Sequence, residues 1–216
     1  MKTISIDIET MPNTDMLERL PEVKPDTRLK DEEKIKADIE KKKAEQIEKM
    51  ALNPLYGKIA AVGCYNDEVQ KVDIKNEAEM IEDILGCCLS NYIVTWNGKS
   101  FDFDFIIKRG VILGVCDLKL LDTYASRYAH THFDLMEKWC GFGKFLSLNE
   151  ISYAILGEKK EEFDVKQIPE LIKTPSGQEL IKRYCLRDCE LVYKLADKFG
   201  YLINCEIKEF NCNATS

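Results

Sequence analysis

The sequence has few of the residues from which structural zinc sites are built. Among 216 residues there are two histidines, His130 and His132, and no two of the nine cysteines stand three positions apart. Structural zinc sites usually combine closely spaced cysteine and histidine ligands, so a zinc site is not expected. We interpret the scattered cysteines as reduced thiols of a cytoplasmic protein.

The sequence also lacks long apolar segments. No stretch approaches the roughly 20 apolar residues that a membrane-spanning helix needs. The N-terminal segment carries Asp7 and Glu9 and has no apolar run of the kind found in signal peptides. We therefore expect a cytoplasmic protein without membrane partners.

An excess of positive charge is missing as well. Lysine and arginine number 31 against 38 aspartates and glutamates, which gives a formal net charge of −7. This balance argues against an extended basic surface for nucleic acid, although bound metal ions could still supply positive charge locally. With 45% hydrophobic and 32% charged residues, the composition is that of one folded domain over residues 1–216.

The first candidate site lies in the alternating segment 3–9, which predicts a β-strand. Side chains two positions apart on a strand share a face, so Asp7 and Glu9 project to the same side. Two neighbouring carboxylates repel each other, and Mg²⁺ or Mn²⁺ between them would relieve the repulsion. Taken alone, the segment is better explained as an ordinary amphipathic strand whose polar face lies in water.

The second candidate, Asp102, follows an apolar segment at 92–96 that predicts a short buried strand. Asn97 and Gly98 indicate a turn, after which apolar spacing predicts a helix that ends at Gly110. Asp102 would then occupy the first helical turn beyond a strand end, where α/β proteins bind ligands. The helix dipole also favours aspartate at such a position, so this residue alone is not diagnostic.

The third candidate is Asp188. Ser176, followed three residues later by glutamate, has the form of a capping box and predicts a long helix to about residues 206–210. Tyr184 and Asp188 would lie one turn apart on the same face, where a simple surface pair is the alternative. A tyrosine with its usual pKa of about 10 is a poor base near neutral pH, so Tyr184 would orient a water molecule.

In chain order, these three segments resemble the three exonuclease motifs of the DEDD superfamily of 3′–5′ exonucleases. The tyrosine four residues before the last aspartate is typical of the tyrosine subtype, and Arg183 stands where the other subtype has histidine. More closely, residues 1–200 resemble the predicted 3′–5′ exonucleases related to the proofreading domain of family B DNA polymerases. The stretches 132–136, 147–150 and 184–191 support this resemblance.

The resemblance implies an α/β, ribonuclease H-like fold with a mixed β-sheet flanked by helices. It implies two divalent metal ions, Mg²⁺ or Mn²⁺, and release of nucleoside monophosphates from the 3′ end of single-stranded or frayed DNA. By motif position the metal ligands would be Asp7, Glu9, Asp102 and Asp188, with Tyr184 completing the catalytic set. Substrate contacts would come from Thr10, Asn97 and Phe101. Asp104 does not match the second motif.

The remaining pattern predicts further strands and helices between these motifs. We expect strands at about 57–65 and 68–74, a helix at 76–89, and a strand within 117–133. Asp134 has the position of a helix cap, and Ser147 with Glu150 has the form of a capping box. The role of His132, at the predicted strand end, is open.

Two charged segments interrupt the apolar pattern. Within residues 25–52, the stretch Asp31–Met50 predicts a charged helix with a thin apolar stripe. We interpret it as a solvated helix at the edge of the domain, and a lid over the substrate is the alternative. Residues 157–162 have no apolar side chain and predict a mobile loop.

The leading functional hypothesis is therefore a metal-dependent 3′–5′ exonuclease that prefers DNA. An RNA-directed exonuclease of the same fold is one alternative, because pocket details decide whether a 2′-hydroxyl is accepted. A catalytically silent domain that binds nucleic acid or a protein partner is another. No polymerase region follows in this sequence, so we expect any proofreading or DNA repair role to act in trans.

Overall fold

In the computed structural model, which describes residues 1–202, a mixed five-stranded β-sheet lies between two layers of helices. The strands are β1 (Lys2–Pro12), β2 (Gly57–Tyr65), β3 (Gln70–Asp73), β4 (Asn91–Thr95) and β5 (His132–Asp134). Their spatial order is β3-β2-β1-β4-β5, with β1 antiparallel to β2 and parallel to β4. The expected mixed sheet flanked by helices is confirmed.

Seven α-helices surround the sheet in the described part of the chain. They are α1 (Glu32–Met50), α2 (Glu77–Leu89), α3 (Asp102–Leu113), α4 (Leu135–Cys140), α5 (Leu148–Leu156), α6 (Ile168–Leu171) and α7 (Pro175–Lys198). The predicted caps of two of them are confirmed: the Asp134 carboxylate accepts from the backbone N–H of Glu137, and Ser147 forms a capping box with Glu150.

Both faces of β1 are covered. Ile4, Ile6 and Ile8 belong to a core cluster that includes residues of α2 and α3. On the other face, the Ser5 hydroxyl donates to the carbonyl oxygen of Cys189 in α7, at 2.7 Å. The interpretation of this strand as amphipathic with its polar face in water is therefore wrong, because α7 packs across that face.

The predicted end of α3 is wrong, and the strand expected after it is short. The helix continues past Gly110 to Leu113, and Gly114, with a φ of 75°, ends it. Gly110 is a packing residue, because a Cβ there would lie 2.4 Å from the Cys116 sulfur. The strand expected within 117–133 is limited to β5; residues Leu121–Ala125 instead form one π-helical turn.

Helix α7 also differs from its predicted limits. Its N-cap is Thr174, whose hydroxyl accepts from the backbone N–H of Gly177, and Pro175 occupies the first turn. Proline suits that position because its missing N–H would have no helical partner there. The capping role expected for Ser176 is therefore wrong. The helix ends at Lys198, well before the predicted end at about 206–210, which lies outside the described residues.

The charged segment forms the predicted helix α1, capped by the Asp31 carboxylate. Met50 at its end is buried, Ile35 and Ile39 are half-buried, and Ile47 is exposed. Because only Met50 is buried among these four apolar residues, the helix lies at the edge of the domain, as expected. The lid role stays a hypothesis.

Seven cysteines lie among residues 1–202, and all are free thiols. Across that same range, every helix is too short or too polar to traverse a bilayer.

A buried ion pair joins α2, α3 and the sheet. The Arg109 guanidinium donates to both carboxylate oxygens of Glu77, at 2.9 and 2.7 Å. Glu77 also accepts from the backbone N–H of Ile59, and Arg109 donates to the carbonyl of Pro54. Only 5% of the arginine side chain and 14% of the glutamate side chain are exposed.

We expect Glu77→Gln to lower the free energy of unfolding by about 3 kcal/mol, because it leaves the Arg109 charge buried without its counter-ion. Urea denaturation would measure the change. Asp83→Asn is the control, since it removes a pair with Lys75 that lies in solvent and should change stability little. Equal effects of the two substitutions would contradict a buried role for the Arg109–Glu77 pair.

Candidate active site

Strand β1 supplies the first two carboxylates of the site. Its pairing with β4 stops at Ser5, so Asp7 and Glu9 extend beyond the carboxyl end of β4. The pairing with β2 shifts by one residue between Glu9 and Thr10, and such a bulge re-aims the side chains beside it. Glu9 is buried despite its charge.

Helix α3 brings the third carboxylate to β1. Asp102, which is buried, begins the helix that follows β4. One of its oxygens, Oδ1, accepts from the backbone N–H of Ile8 at 3.1 Å, between the two acidic residues of the strand. The predicted placement of this aspartate at a strand end and helix start is confirmed.

Helix α7 brings Tyr184 and Asp188 to the same place from the opposite layer. Both side chains are buried, and they lie one turn apart. The Tyr184 ring stacks on Phe163, with centroids 4.6 Å apart. Close approach of α7 to β2 depends on Gly63, where a Cβ would lie 2.7 Å from the Cys185 sulfur.

Burial and, after it, the charges of neighbouring carboxylates raise the pKa values of the carboxyl groups. Burial, followed by the charges of Asp188, Glu9 and Asp102, raises the pKa of Asp7 well above its usual range. Burial and the charge of Asp188 raise the pKa of Glu9 to about 8. Burial raises the pKa of Asp102 to about 7. The structure thus brings together four mutually repelling carboxylates from three distant segments.

The site fits divalent cations bound through oxygen. Oδ1 of Asp188 is buried and has no hydrogen-bond partner within residues 1–202. The ligand atoms of Asp7, Glu9 and Cys185 lie within 4.8 Å of one another. A hydrogen bond with Cys189, together with burial, raises the pKa of Cys185. The carboxylate oxygens suit Mg²⁺ and Mn²⁺, whereas a thiolate is a soft ligand that suits other metals.

Lys160 is a site residue that the sequence did not indicate. Its ammonium lies 2.5 Å from Asp188 Oδ2 and 4.9 Å from the centroid of the Tyr184 ring. Burial alone would lower its pKa, but the charge of Asp188 raises it, so Lys160 stays protonated. Lys160 lies in a run of charged residues, and no sequence pattern in that run distinguishes it from the neighbouring lysine.

The expectation of a mobile loop at 157–162 does not agree with these contacts. Glu158 pairs with Arg187 and Lys194 of α7, at 2.8 and 2.9 Å. Glu161 pairs with Arg183 at 2.7 Å. Several ion pairs thus fasten the loop along α7.

Tyr184 is poorly suited to act as a base in this setting. Burial and the nearby charge of Asp188 raise its pKa above the usual value, although Lys160 opposes part of the rise. The phenol therefore keeps its proton at neutral pH. It can donate or accept a hydrogen bond, which agrees with an orienting role.

Two residues of β5 hold the turn between β4 and α3. Asn97 has a φ of 69°, which is unusual for a residue other than glycine. The Asp134 carboxylate accepts from the backbone N–H groups of Asn97 and Lys99, at 3.0 and 3.1 Å. The turn therefore receives its shape from the neighbouring strand, through the same side chain that caps α4.

His132 takes part in the same support. One ring nitrogen, Nδ1, lies 2.6 Å from the carbonyl of Tyr124, which can only accept, so this nitrogen carries the proton. The other, Nε2, then accepts from the Thr95 hydroxyl at 2.7 Å, and that oxygen accepts from Gly98 N–H. Burial lowers the pKa of His132 to about 3, so the ring is a neutral structural link.

The three residues expected to contact substrate have different environments. The Thr10 hydroxyl donates to the carbonyl of Ala51 and so ties the end of α1 to the strand beside Glu9. The Phe101 ring, half-buried, packs against Phe105 with centroids 5.8 Å apart. Asn97 lines an open cleft next to the site.

Solved structures with the same fold include a family B DNA polymerase from the hyperthermophilic archaeon Pyrobaculum calidifontis. The similarity covers 92% of this chain and 24% of that polymerase, with a TM-score of 0.62 and 15% sequence identity. At this identity the likeness shows the fold.

Sequence relatives include archaeal DNA polymerases. The chain is 27% identical to the DNA polymerase of Thermococcus gorgonarius over 153 residues, which are 62% of this chain and 20% of the polymerase. It is 26% identical to the DNA polymerase of Pyrococcus horikoshii over 144 residues, 58% of this chain and 12% of that protein. The chain thus spans a fifth or less of each relative.

A family match covers more than half of the chain. Residues 55–202 match the family described as predicted 3′–5′ exonucleases related to the exonuclease domain of PolB. The matched range includes Asp102, Tyr184 and Asp188, while Asp7 and Glu9 lie before it and reach the site through β1. By this match the chain belongs to the family of predicted 3′–5′ exonucleases related to the exonuclease domain of PolB.

Proposed function

We propose that this protein is a metal-dependent 3′–5′ exonuclease that hydrolyses single-stranded or frayed DNA from the 3′ end and releases nucleoside monophosphates. The observation that carries the proposal is the convergence of Asp7, Glu9, Asp102 and Asp188 in a largely buried cluster, where one carboxylate oxygen has no hydrogen-bond partner within residues 1–202. Keeping several ionised carboxylates together is unfavourable unless a cation shares the site. Membership of the exonuclease family supports the same reading.

In this proposal the four carboxylates hold two divalent ions. Bound there, such ions would make water nucleophilic and stabilise negative charge on the scissile phosphate and the leaving 3′ oxygen. Asp102 is held in place by the backbone of β1, and Asp7 and Glu9 by their alternation on that strand. Asp188 is positioned from the other layer by Lys160.

In this proposal Tyr184 orients the attacking water, and the positive charge of Lys160 offsets the negative charge of Asp188. The tyrosine hydroxyl retains its proton, so it positions and does not deprotonate. The ring is fixed by Phe163 on one side, which gives the hydroxyl a defined direction. Positioning of this kind lowers the entropic part of the barrier.

Substrate binding is expected to be local and weak. Arg183 and Arg187 lie near the third motif, but glutamates of the 157–162 loop pair with both. Lys99 is buried and donates to the carbonyl of Arg127. These cations therefore do not form a broad basic surface, in agreement with the net charge of −7. Thr10, Asn97 and Phe101 are proposed to contact the 3′-terminal nucleotide.

Labelled oligonucleotides test the proposed function directly. DNA and RNA strands, labelled at the 5′ or the 3′ end, are incubated with Mg²⁺, with Mn²⁺ and with a chelator. A ladder that shortens from the 3′ end only when metal is present supports the proposal. Faster cleavage of RNA than of DNA would make RNA the preferred substrate in place of DNA. No cleavage with either metal would refute the proposed activity.

We expect Asp102→Asn to abolish metal-dependent cleavage while leaving the protein folded, because the amide is a weaker ligand than a carboxylate. Asp104→Asn is the matched control, since Asp104 is two residues away and pairs with Lys108. Cleavage rates would be compared after circular dichroism has established folding. Full activity of Asp102→Asn, or equal loss in Asp104→Asn, would be incompatible with the assignment.

We expect Tyr184→Phe to be milder than Asp188→Asn. The ring would still stack on Phe163, and only the hydroxyl that positions water is lost. We predict a loss of roughly ten- to a hundred-fold in kcat at saturating Mg²⁺, which is smaller than the roughly 10²–10⁴-fold typical of a group that transfers a proton. Wild-type rates in Tyr184→Phe across a pH series would make the tyrosine purely structural.

The raised pKa values also predict how stability depends on pH. Unfolded carboxyl groups titrate near pH 4, whereas the pKa of Glu9 is raised to about 8 and that of Asp102 to about 7. Between these limits the folded, metal-free protein binds more protons than the unfolded chain, so its stability falls as pH rises. We therefore expect a lower melting temperature at pH 8 than at pH 5 in the presence of a chelator.

Magnesium and a single substitution provide the controls for this pH effect. Mg²⁺ should reduce the decrease, because it favours the ionised carboxylates, and Glu9→Gln should reduce it without metal. Asp104→Asn should retain the full decrease. A pH dependence that neither Mg²⁺ nor Glu9→Gln alters would assign it to groups outside the cluster.

A further inference from the structure

Three large aromatic side chains lie exposed on two neighbouring loops. Tyr128, Phe142 and Phe145 are 75%, 67% and 76% exposed. Single exposed apolar residues are common on protein surfaces, but a group of aromatic rings is characteristic of a binding surface. We call these residues, with Arg127 and Lys144, the aromatic–basic surface.

The backbone of the second loop holds Phe142 outward. Gly141 and Gly143, on either side of it, have φ values of 85° and 74°. An L-residue rarely adopts this conformation, whereas glycine does so at little cost. A Cβ at either glycine would meet no atom of residues 1–202 within 4 Å, so backbone geometry and not crowding favours glycine there. The exposure of Phe142 is therefore built into the loop.

Unpaired cations accompany the rings. The Arg127 guanidinium lies 4.8 Å from the Phe142 ring centroid and 5.5 Å from that of Tyr128. Within residues 1–202, no carboxylate forms an ion pair with Arg127 or Lys144, although such pairs engage Arg183 and Arg187 of α7. In a chain with net charge −7, these two cations remain available to an anionic ligand.

The aromatic–basic surface shares a cleft with the turn that precedes Asp102. Phe142, Lys144 and Phe145 line a cleft of about 270 Å³ whose other wall includes Asn97 and Ser100, in the turn that leads into Asp102. The two walls are fastened to each other. Lys99 donates to the carbonyl of Arg127 at 3.3 Å. The backbone of the turn also donates hydrogen bonds to the carboxylate of Asp134, the residue that precedes α4.

We propose that the aromatic–basic surface binds the nucleotides on the 5′ side of the reacting 3′ end of a single strand. Bases stack on Phe142, Phe145 and Tyr128, while Arg127 and Lys144 contact phosphates. Aromatic rings interleaved with cations form platforms for unpaired bases, and bases inside a duplex cannot reach them. The inference rests on the proposed function, which it extends from the terminal nucleotide to the strand behind it.

Substrate length tests this surface separately from the chemistry. Thymidine 5′-monophosphate p-nitrophenyl ester occupies only the reaction site, whereas a ten-nucleotide DNA strand also reaches the aromatic–basic surface. For the double variant with Phe142→Ala and Phe145→Ala, we expect kcat/KM on the ten-nucleotide strand to fall at least about ten-fold. The rate on the ester should stay unchanged. Leu89→Ala is the control. Leu89 is similarly exposed but precedes the amino end of β4, whereas the turn that leads into Asp102 follows the carboxyl end.

Salt dependence tests the cations. Binding of a fluorescent ten-nucleotide DNA strand is measured by anisotropy, with a chelator present so that it is not cleaved. Each of Arg127→Gln and Lys144→Gln should reduce the slope of log affinity against log salt by about 0.7, the value for one phosphate contact on a single strand. Lys119→Gln, a substitution of a lysine on another loop, should leave the slope unchanged.

The outcomes separate the two proposals. Equal loss on the ester and on the long strand, or no loss on either, would overturn the role of the aromatic–basic surface while leaving the exonuclease intact. Unaltered salt slopes in both cation variants would overturn it as well, and would favour a protein partner for the rings. If wild-type protein cleaves neither substrate with metal, the proposed function fails, whereas anisotropy still reports strand binding.

Discussion

Four carboxylates that repel one another, three of them buried and Asp7 half-buried, are the constraint on which the rest of this structure depends. The packing of α7 across β1 forces them together, through the Ser5 hydroxyl on the Cys189 carbonyl and the close approach of α7 to Gly63. The burial that excludes water also raises the pKa of each group, so the same contacts that build the site make it unfavourable when empty. A fold that retains such a cluster is suited to binding cations there.

Support for the site comes from neutral and paired groups around it. His132 and Asp134, on the next strand, fix the turn before Asp102 by hydrogen bonds to its backbone and to Thr95. Lys160 brings a positive charge to Asp188 from a loop that glutamates fasten to α7. The geometry of the candidate site is therefore distributed over the fold, although the acidic residues occupy only three short segments.

Whether a cation is paired with a carboxylate differs from one part of the described surface to another. Most cations near the third motif are neutralised by glutamates, while those beside the exposed rings are without carboxylate partners within residues 1–202. A negatively charged protein can then hold one strand end without attracting duplex nucleic acid over its whole surface. This arrangement agrees with action at ends that are already single-stranded.

The sequence alone determined the elements whose pattern is local. Alternation in β1, the apolar spacing of α2 and α3, and the capping box of Ser147 and Glu150 indicated their positions, because period and capping depend on near neighbours. The ordered acidic motifs indicated which carboxylates would meet, through resemblance to a family whose arrangement is recognisable.

Contacts between distant segments depend on how the chain packs in three dimensions. No local pattern distinguished Lys160 from adjacent lysines, or gave His132 its role, because each depends on a partner from another strand or helix. Gly110 and Gly114 look alike as helix ends in the sequence; packing against Cys116 and backbone conformation separate them. Packing between residues far apart in the chain sets these features. Local sequence patterns do not show which distant residues come into contact.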